Sequence, residues 1–334
     1  MRVATGLAIP VFWASLALTL GATVVFAREL DRLSARLRLS EGLHGLVTAL
    51  GADAPEIATA VTALIASREQ VGVGVVVGSN VFNLAALLGL SALVAGHVRI
   101  HRHGLVLNGG VALAVTGIAV ALVLGGVDAV AAAVLLAAVF VPYVVVLALR
   151  PTAIRRLTAA VPTTRFLALA VHEEVVDLRT GDHPARASRL DLAVLASALG
   201  AIVLGSIGMV DSATDLGDRW GVSDVVVGTL VLAALTSLPN ALTAVRLALR
   251  GRGAATVSEA FNSNTLNVIA GIAIPALFLT LGRASGLVAF SVWWLLGMTA
   301  IAVLFAYLGH GVRRVEGVIV ILLYVAFAFV VATR

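Results

Sequence analysis

Apolar residues fill this chain in long runs, and polar residues gather in short gaps between them. Ten runs stand out: residues 4–27, 41–66, 70–97, 104–125, 127–149, 191–213, 222–249, 254–281, 285–308 and 316–333. Each has roughly the 17–25 residues, or slightly more, that a tilted helix needs to cross about 30 Å of hydrocarbon. In lipid, every backbone N–H and C=O must be satisfied internally, which dictates helices rather than open strands. The pattern therefore predicts an all-α polytopic membrane protein with ten transmembrane helices. The first run, with Arg2 before it, has the look of a signal peptide. It is too long for one and no clear small-residue cleavage site follows, so it is read as a helix.

Composition agrees. The 334 residues are 60% hydrophobic and 12% charged, with a mean hydropathy of +1.06, more apolar side chain than a soluble domain of this size could hide. All 23 basic residues are Arg. With ten spans, the connections 28–40, 98–103, 150–190, 250–253 and 309–315 fall on one side and carry 17 Arg; the other side carries 5. Arg-rich connections stay in the cytoplasm, which puts both termini outside and predicts a multi-pass protein of the cell membrane. The formal charge of +5 follows from this bias. It calls for no nucleic acid, and anionic lipid is its natural partner. The chain has no Cys, which excludes disulfides and thiolate metal sites.

The 150–190 connection is the longest polar stretch, with Pro151, Pro162, Pro184 and the run His172-Glu173-Glu174. It is read as a cytoplasmic tether between a first five-helix repeat, 1–149, and a second, 191–334. An odd number of spans per half inverts the second half relative to the first, an architecture that places a transporter's site at the midplane.

One polar pattern occurs in both halves. Residues 51–83 contain Gly51-Ala-Asp53-Ala-Pro55-Glu56 and then Gly78-Ser79-Asn80-Val-Phe-Asn83. Residues 235–267 contain Leu235-Thr236-Ser237-Leu-Pro239-Asn240 and then Asn262-Ser263-Asn264-Thr-Leu-Asn267. From Pro to the last Asn is 28 residues in each copy. Pro55 is expected to break its helix and free carbonyls for a cation. Asp53 and Glu56, three apart, share a helical face if that turn is intact. Two carboxylates so close at mid-membrane cannot both stay charged without a cation or a proton. Asp53, Glu56, Asn83, Ser237, Asn240 and Asn267 offer only hard oxygen ligands, suited to Na⁺, Ca²⁺ or H⁺ rather than a soft transition metal. Singly, each Asn reads more simply as interhelical glue; the matched spacing favours a shared site. Glu259 reads equally as a pathway residue or a mouth acid, and His44 as a cap or a proton carrier.

These segments resemble the two inverted α-repeats of the sodium/calcium exchanger superfamily, the cation/Ca²⁺ antiporters, in its prokaryotic form. The likeness covers almost the whole chain. It implies a secondary antiporter working by alternating access, most simply Na⁺/Ca²⁺ exchange, with H⁺-coupled Ca²⁺ or Na⁺ antiport as the alternative. It matches Glu56 to the central cation-binding Glu of the first repeat and places Asn240 where the second repeat usually has its Glu. Thr236 and Ser237 keep the family's pair, and Ser263 its Ser; Asn83 and Asn267 match the Asn or Asp ligands. Ala52 and Asp53 depart from the usual Thr and Ser. The carboxylate count is kept by Asp53, but on the opposite repeat. No cofactor is implied, only inorganic cations as cargo, and the oligomeric state is left open, a monomer included. Two readings of other classes compete: a non-transporting membrane relative, and an intramembrane acid/base hydrolase built on Asp53 and Glu56. No GxxxxGK[ST] loop suggests ATP coupling.

Overall fold

The computed structural model describes residues 7–37, 39–149 and 189–334. Most of the expected 150–190 tether lies outside the described residues. Eleven helices follow in order: α1 Ala8–Arg36, α2 Glu41–Ile65, α3 Glu69–Ala95, α4 Arg102–Val123, α5 Ala129–Ala148, α6 Arg189–Trp220, α7 Asp224–Thr236, α8 Leu238–Leu249, α9 Gly253–Val268, α10 Gly286–Gly309 and α11 Arg314–Thr333. Starts are legible in the sequence. The side chains of Asp128 and Ser285 accept the backbone N–H three residues on, capping α5 and α10.

Seven helices are long and apolar enough to span a membrane: α1, α3, α4, α5, α6, α10 and α11. The pair α7–α8, bent by 45°, makes an eighth. The expected ten is thus seven or eight by length and hydropathy. The two expected spans outside that set correspond to α2 and α9. They carry Asp53, Glu56, Glu259 and the Asn262-Ser263-Asn264 run, whose polarity dilutes the apolar signal.

Two further differences concern boundaries. Helix α1 runs on to Arg36 and α6 to Trp220, well past the apolar runs that predicted them. Ion pairs between Arg32 and Glu29, and between Arg219 and Asp215 one turn earlier, support these polar extensions. Pro55 does not break α2, which is continuous through it; the break comes in the second copy, at Ser237 beside Pro239. One lost hydrogen bond is tolerated where neighbours pack on all sides of the helix.

Helix α3 is the interior of the molecule. It is buried along 94% of its most apolar stretch, where the other six are buried along 22–50%. Outward-facing Val134, Leu204 and Leu322 are more than half exposed, as lipid-facing residues are. Helices α3 and α7 cross backbone to backbone. A Cβ on Gly78 would stand 2.2 Å from the Thr229 carbonyl oxygen, and one on Gly228 2.4 Å from that of Val71. Small residues at a crossing let two membrane helices touch directly. Helix α3 widens to π-helix over Leu84–Leu90, just after Asn83, and α9 is followed by π-helix over Ile269–Ala273, just after Asn267 and Val268. Such wide turns recur at functional sites.

The connections gather in two groups. Strands β1 His97–Arg99 and β2 Gly311–Arg313 pair antiparallel, and Gly253 packs against Arg99. Arg36 pairs with Asp191, which begins the run just after the 150–190 connection. Elsewhere, Arg68 bridges Asp218 at 3.0 Å and Asp224 at 3.4 Å, joining the α2–α3 turn to the end of α6 and the start of α7. The Asp218 hydrogen bond holds the Arg68 guanidinium above its ordinary pKa, with Asp224 adding to it.

The crossing makes a stability prediction. Gly78→Ala should lower the thermal midpoint in detergent, at a cost of about 1–3 kcal/mol, because backbone and not a flexible side chain meets the methyl. Gly110→Ala, whose methyl would meet nothing within 4 Å, should leave the midpoint unchanged.

Candidate functional site

The eight residues singled out from the sequence are all buried, none more than 1% exposed: Asp53, Glu56, Asn83, Thr236, Ser237, Asn240, Ser263 and Asn267. They come from α2, α3, α7, α8 and α9 and from the break at Ser237. Because α2 stays helical through Pro55, Asp53 and Glu56 lie one turn apart on the same side. The donors Ser237, Asn240 and Ser263 come to these two acids from the second half of the chain, and Asn83 of the first half stands beside Glu56.

Asn240 is the bridge. Its amide nitrogen donates to Asp53 Oδ1 at 2.8 Å and to Glu56 Oε1 at 3.1 Å. The Ser237 hydroxyl donates to the same Glu56 oxygen at 2.8 Å, and the Ser263 hydroxyl to the same Asp53 oxygen at 2.7 Å. Asn83 Nδ2 donates to Ser263 Oγ at 3.0 Å. Asn267 Nδ2 donates to Asn80 Oδ1 at 3.1 Å and approaches Ser263 Oγ at 3.4 Å. Asn80 Nδ2 closes the chain on the Asn264 carbonyl at 3.2 Å.

Thr236 stands apart. Its hydroxyl donates back to the Leu232 and Ala233 carbonyls of its own helix and does not join the carboxylates. Asn80 and Asn264, quoted in the motifs but left out of the candidate set, belong to the network. Their identical placement in the two copies was the signal that could have found them.

The network leaves a pattern of unused acceptors. Asp53 Oδ2, Glu56 Oε2, Asn83 Oδ1, Asn240 Oδ1 and Asn267 Oδ1 are all buried without a hydrogen-bond donor. Buried polar atoms are nearly always satisfied, so five orphaned oxygens on one connected set of side chains need an explanation. All five are acceptors, and the amide nitrogens of Asn83, Asn240 and Asn267 are committed to the framework; Asn264, which joins through its backbone carbonyl, leaves both side-chain atoms unpartnered. The set fits a hard cation: two carboxylate oxygens and three amide oxygens. Among the described residues, no three His, Cys, Asp or Glu side chains cluster as a metal site, so neutral oxygens would have to complete any shell here.

The amide at 240 also explains the exchange of residue types between the copies. A carboxylate there would face Asp53 and Glu56 with a third negative charge. The amide instead donates one hydrogen to each acid. Asp53 and Asn240 are therefore a matched pair across the two halves.

A cavity of about 230 Å³ opens beside the site, on the face where β1, β2 and Gly253 meet. Its wall includes Asp31, His44, Thr243, Ser258, Glu259 and Asn262, but neither Asp53 nor Glu56. His44 is held at its rim by Asp31, at 2.9 Å, and by Ser34. Asn262, next to Ser263, forms part of the wall, so a single residue step separates the cavity from the carboxylate network.

Comparison with known proteins places this architecture. Among curated proteins, the sodium/calcium exchanger MaX1 of Methanosarcina acetivorans is 29% identical over 140 residues, 42% of this chain and 40% of that protein. The sodium/potassium/calcium exchanger 3 of Rattus norvegicus is 40% identical over 74 residues, 22% of this chain and 12% of that protein. The matched region is thus well under two thirds of either relative. Among solved structures, the H⁺/Ca²⁺ exchanger CAX superposes with a TM-score of 0.71 at 14% identity, covering 98% of this chain and 85% of that one. The sodium-calcium exchanger NCX_Mj does so at 0.61 and 22%, covering 96% and 97%. At these identities the likeness is one of fold. The reading as an intramembrane hydrolase falls, since these relatives are exchangers and not enzymes. The family model for sodium/calcium exchanger protein matches residues 7–151 and 190–333, so this chain, an integral membrane protein, belongs to that family.

Proposed function

We propose that this protein is a secondary antiporter that exchanges Na⁺ for Ca²⁺ by alternating access, and that Asp53, Glu56, Asn83, Asn240 and Asn267 hold the cation. The observation that carries this reading is the set of five buried oxygens without donors on one hydrogen-bonded network. Ser237, Ser263 and Asn80 position the ligands, and Thr236 stiffens the break beside them. The names of the matched relatives, which are sodium/calcium and sodium/potassium/calcium exchangers, support Ca²⁺ as cargo. On this reading the halves 1–149 and 191–334 are inverted five-helix repeats, α2 and α9 count as spans, and α7–α8 is one broken span.

Orientation belongs to the same proposal. The Arg-rich connections face the cytoplasm, both termini face outward, and 150–190 lies inside. The gathering of 97–99, 253 and 311–313 on one face supports a common side for them. The cavity then opens inward, while Arg68, Asp218 and Asp224 join the two halves on the outer face.

Uptake of ⁴⁵Ca²⁺ into proteoliposomes under an imposed Na⁺ gradient tests the function. Coupling to a pH gradient alone would assign H⁺ as the counter-ion, and no flux under either gradient would leave a non-transporting relative. In this assay Glu56→Gln should abolish exchange while purifying as a folded protein, since Gln is isosteric. Near-normal flux in that variant would remove Glu56 from the site.

Asp53 and Asn240 should trade roles. Each unit charge at about 4 Å contributes on the order of 4 kcal/mol per ion charge at an effective dielectric of about 20, so a divalent ion feels the loss twice over. Asp53→Asn should weaken Ca²⁺ binding by about a hundredfold or more, and Na⁺ binding far less. Asp53→Ser together with Asn240→Glu should recover much of the Ca²⁺ affinity, as read by isothermal titration.

Topology is checked with single Cys residues, introduced into this Cys-free chain and probed with an impermeant thiol reagent. A Cys at 217 should label from outside intact cells, and a Cys at 160 only after permeabilisation.

A further inference from the structure

The two copies of the motif are not equally polar on the cavity side. Matching Ser79-Asn80 with Ser263-Asn264 pairs Val75 with Glu259 and Gly78 with Asn262. The first copy is thus apolar where the second carries a carboxylate and an amide. Val75 is fully buried in the apolar core, whereas Glu259 and Asn262 both line the cavity. In the second copy a carboxylate stands at the packing residue's place, where the helix borders the cavity.

Among the described residues Glu259 makes no ion pair, although Arg252 stands on the same cavity wall. Its Oε2 atom is buried without a hydrogen-bond partner. An acid so placed takes a cation or a proton from elsewhere. It does not complete the Asp53–Glu56 shell, because no three acidic or imidazole side chains of the described residues come close enough to hold one ion. An ion at Glu259 would be a second ion.

Oxygen ligands surround the position. Ser258 and Asn262 flank Glu259 on the cavity wall. The Tyr143 hydroxyl contacts Asn262 Oδ1 at 2.5 Å and Asn108 Oδ1 at 2.9 Å, and Asn108 Nδ2 donates to Ser258 Oγ at 2.9 Å. A phenol has one proton and cannot satisfy both amide oxygens at once, so acceptor capacity is left over at this wall. Tyr143 and Asn108, from α5 and α4, hold the wall from behind. The cavity has room for several waters, enough for a cation to enter partly hydrated.

We propose that Glu259, with Ser258 and Asn262, forms a second site for the transported hard cation, a loading station between the cavity and the Asp53–Glu56 site. The inference rests on the antiporter reading and adds a stage to it. A cation leaving the cavity exchanges part of its water for Glu259 before it reaches Asp53. The station lies on one face only, because the first copy offers Val75 at the matching place.

Sidedness supplies the test. Exchange is measured in oriented vesicles of the full chain, right-side-out and inside-out, with Ca²⁺ varied on one face at a time. Glu259→Gln should raise the KM for Ca²⁺ on the cavity face about tenfold and leave that on the opposite face unchanged. Glu259→Asp should recover most of the loss, and serves as the reporter, with a smaller rise on the cavity face alone, if the Gln variant aggregates. Equilibrium ⁴⁵Ca²⁺ binding is read alongside. The Asp53→Asn, Glu56→Gln double variant should keep a weak Ca²⁺ affinity that adding Glu259→Gln removes. Wild-type KM values on both faces, or an equal rise on both faces with no residual binding, would overturn the loading station. Glu56→Gln separates the two claims. If it is inactive while Glu259→Gln behaves as wild type, only the station fails; if it transports normally, the antiporter site fails and the station with it.

Discussion

Two carboxylates one helical turn apart, both shut away from water, set the terms for everything around them. Asp53 and Glu56 repel one another and are stripped of hydration. What holds them is a supply of donors from the other half of the chain: Ser237, Asn240 and Ser263. The site is therefore also the seam between the halves. Moving one half against the other must rearrange these donors, so the chemistry of the carboxylates and the mechanics of the fold are a single problem.

The helices around the seam are built for close approach. At Gly78 and Gly228, α3 and α7 meet without side chains between them. This brings the first half's Asn83 within reach of the second half's Ser263, and Asn267 within reach of Asn80. These two glycines are not counterparts in the repeat, since Gly78 matches Asn262; their role is packing and not chemistry. The π-helical turns after Asn83 and around Ile269 lie at corresponding positions in the two copies.

Much of this was legible in the chain. Apolar runs located the helices to within a few residues wherever lipid sets their length, and the doubled motif located the network. The misses have physical causes. The ends of α1 and α6 continue as polar, ion-paired helix, which hydropathy cannot see. Helices α2 and α9 carry the polar site and so weaken the signal by which spans are counted. Pro55 and Pro239 occupy the same place in the repeat, yet only the second copy bends, so the proline alone does not decide it. Thr236 has the right residue type and depth, but a Thr in a helix readily bonds its own preceding turn, as it does here. The pairing of Asp53 with Asn240 depended on which atoms meet across 187 residues of chain, and no spacing within one copy encodes that.

The way Asn240 divides its two hydrogens has a kinetic side. Each carboxylate has one oxygen pinned by protein donors, leaving one free, so neither acid can clasp an ion with both oxygens. On the antiporter reading, an incoming ion meets two single-handed carboxylates and several amides, a softer grip than bidentate ligation would provide. Grip strength sets the dwell time, and a carrier stalls on whatever it holds too long. On that reading, half of each acid spent on the framework keeps the ligands pre-aligned and shortens the stay of the ion, favouring turnover over storage.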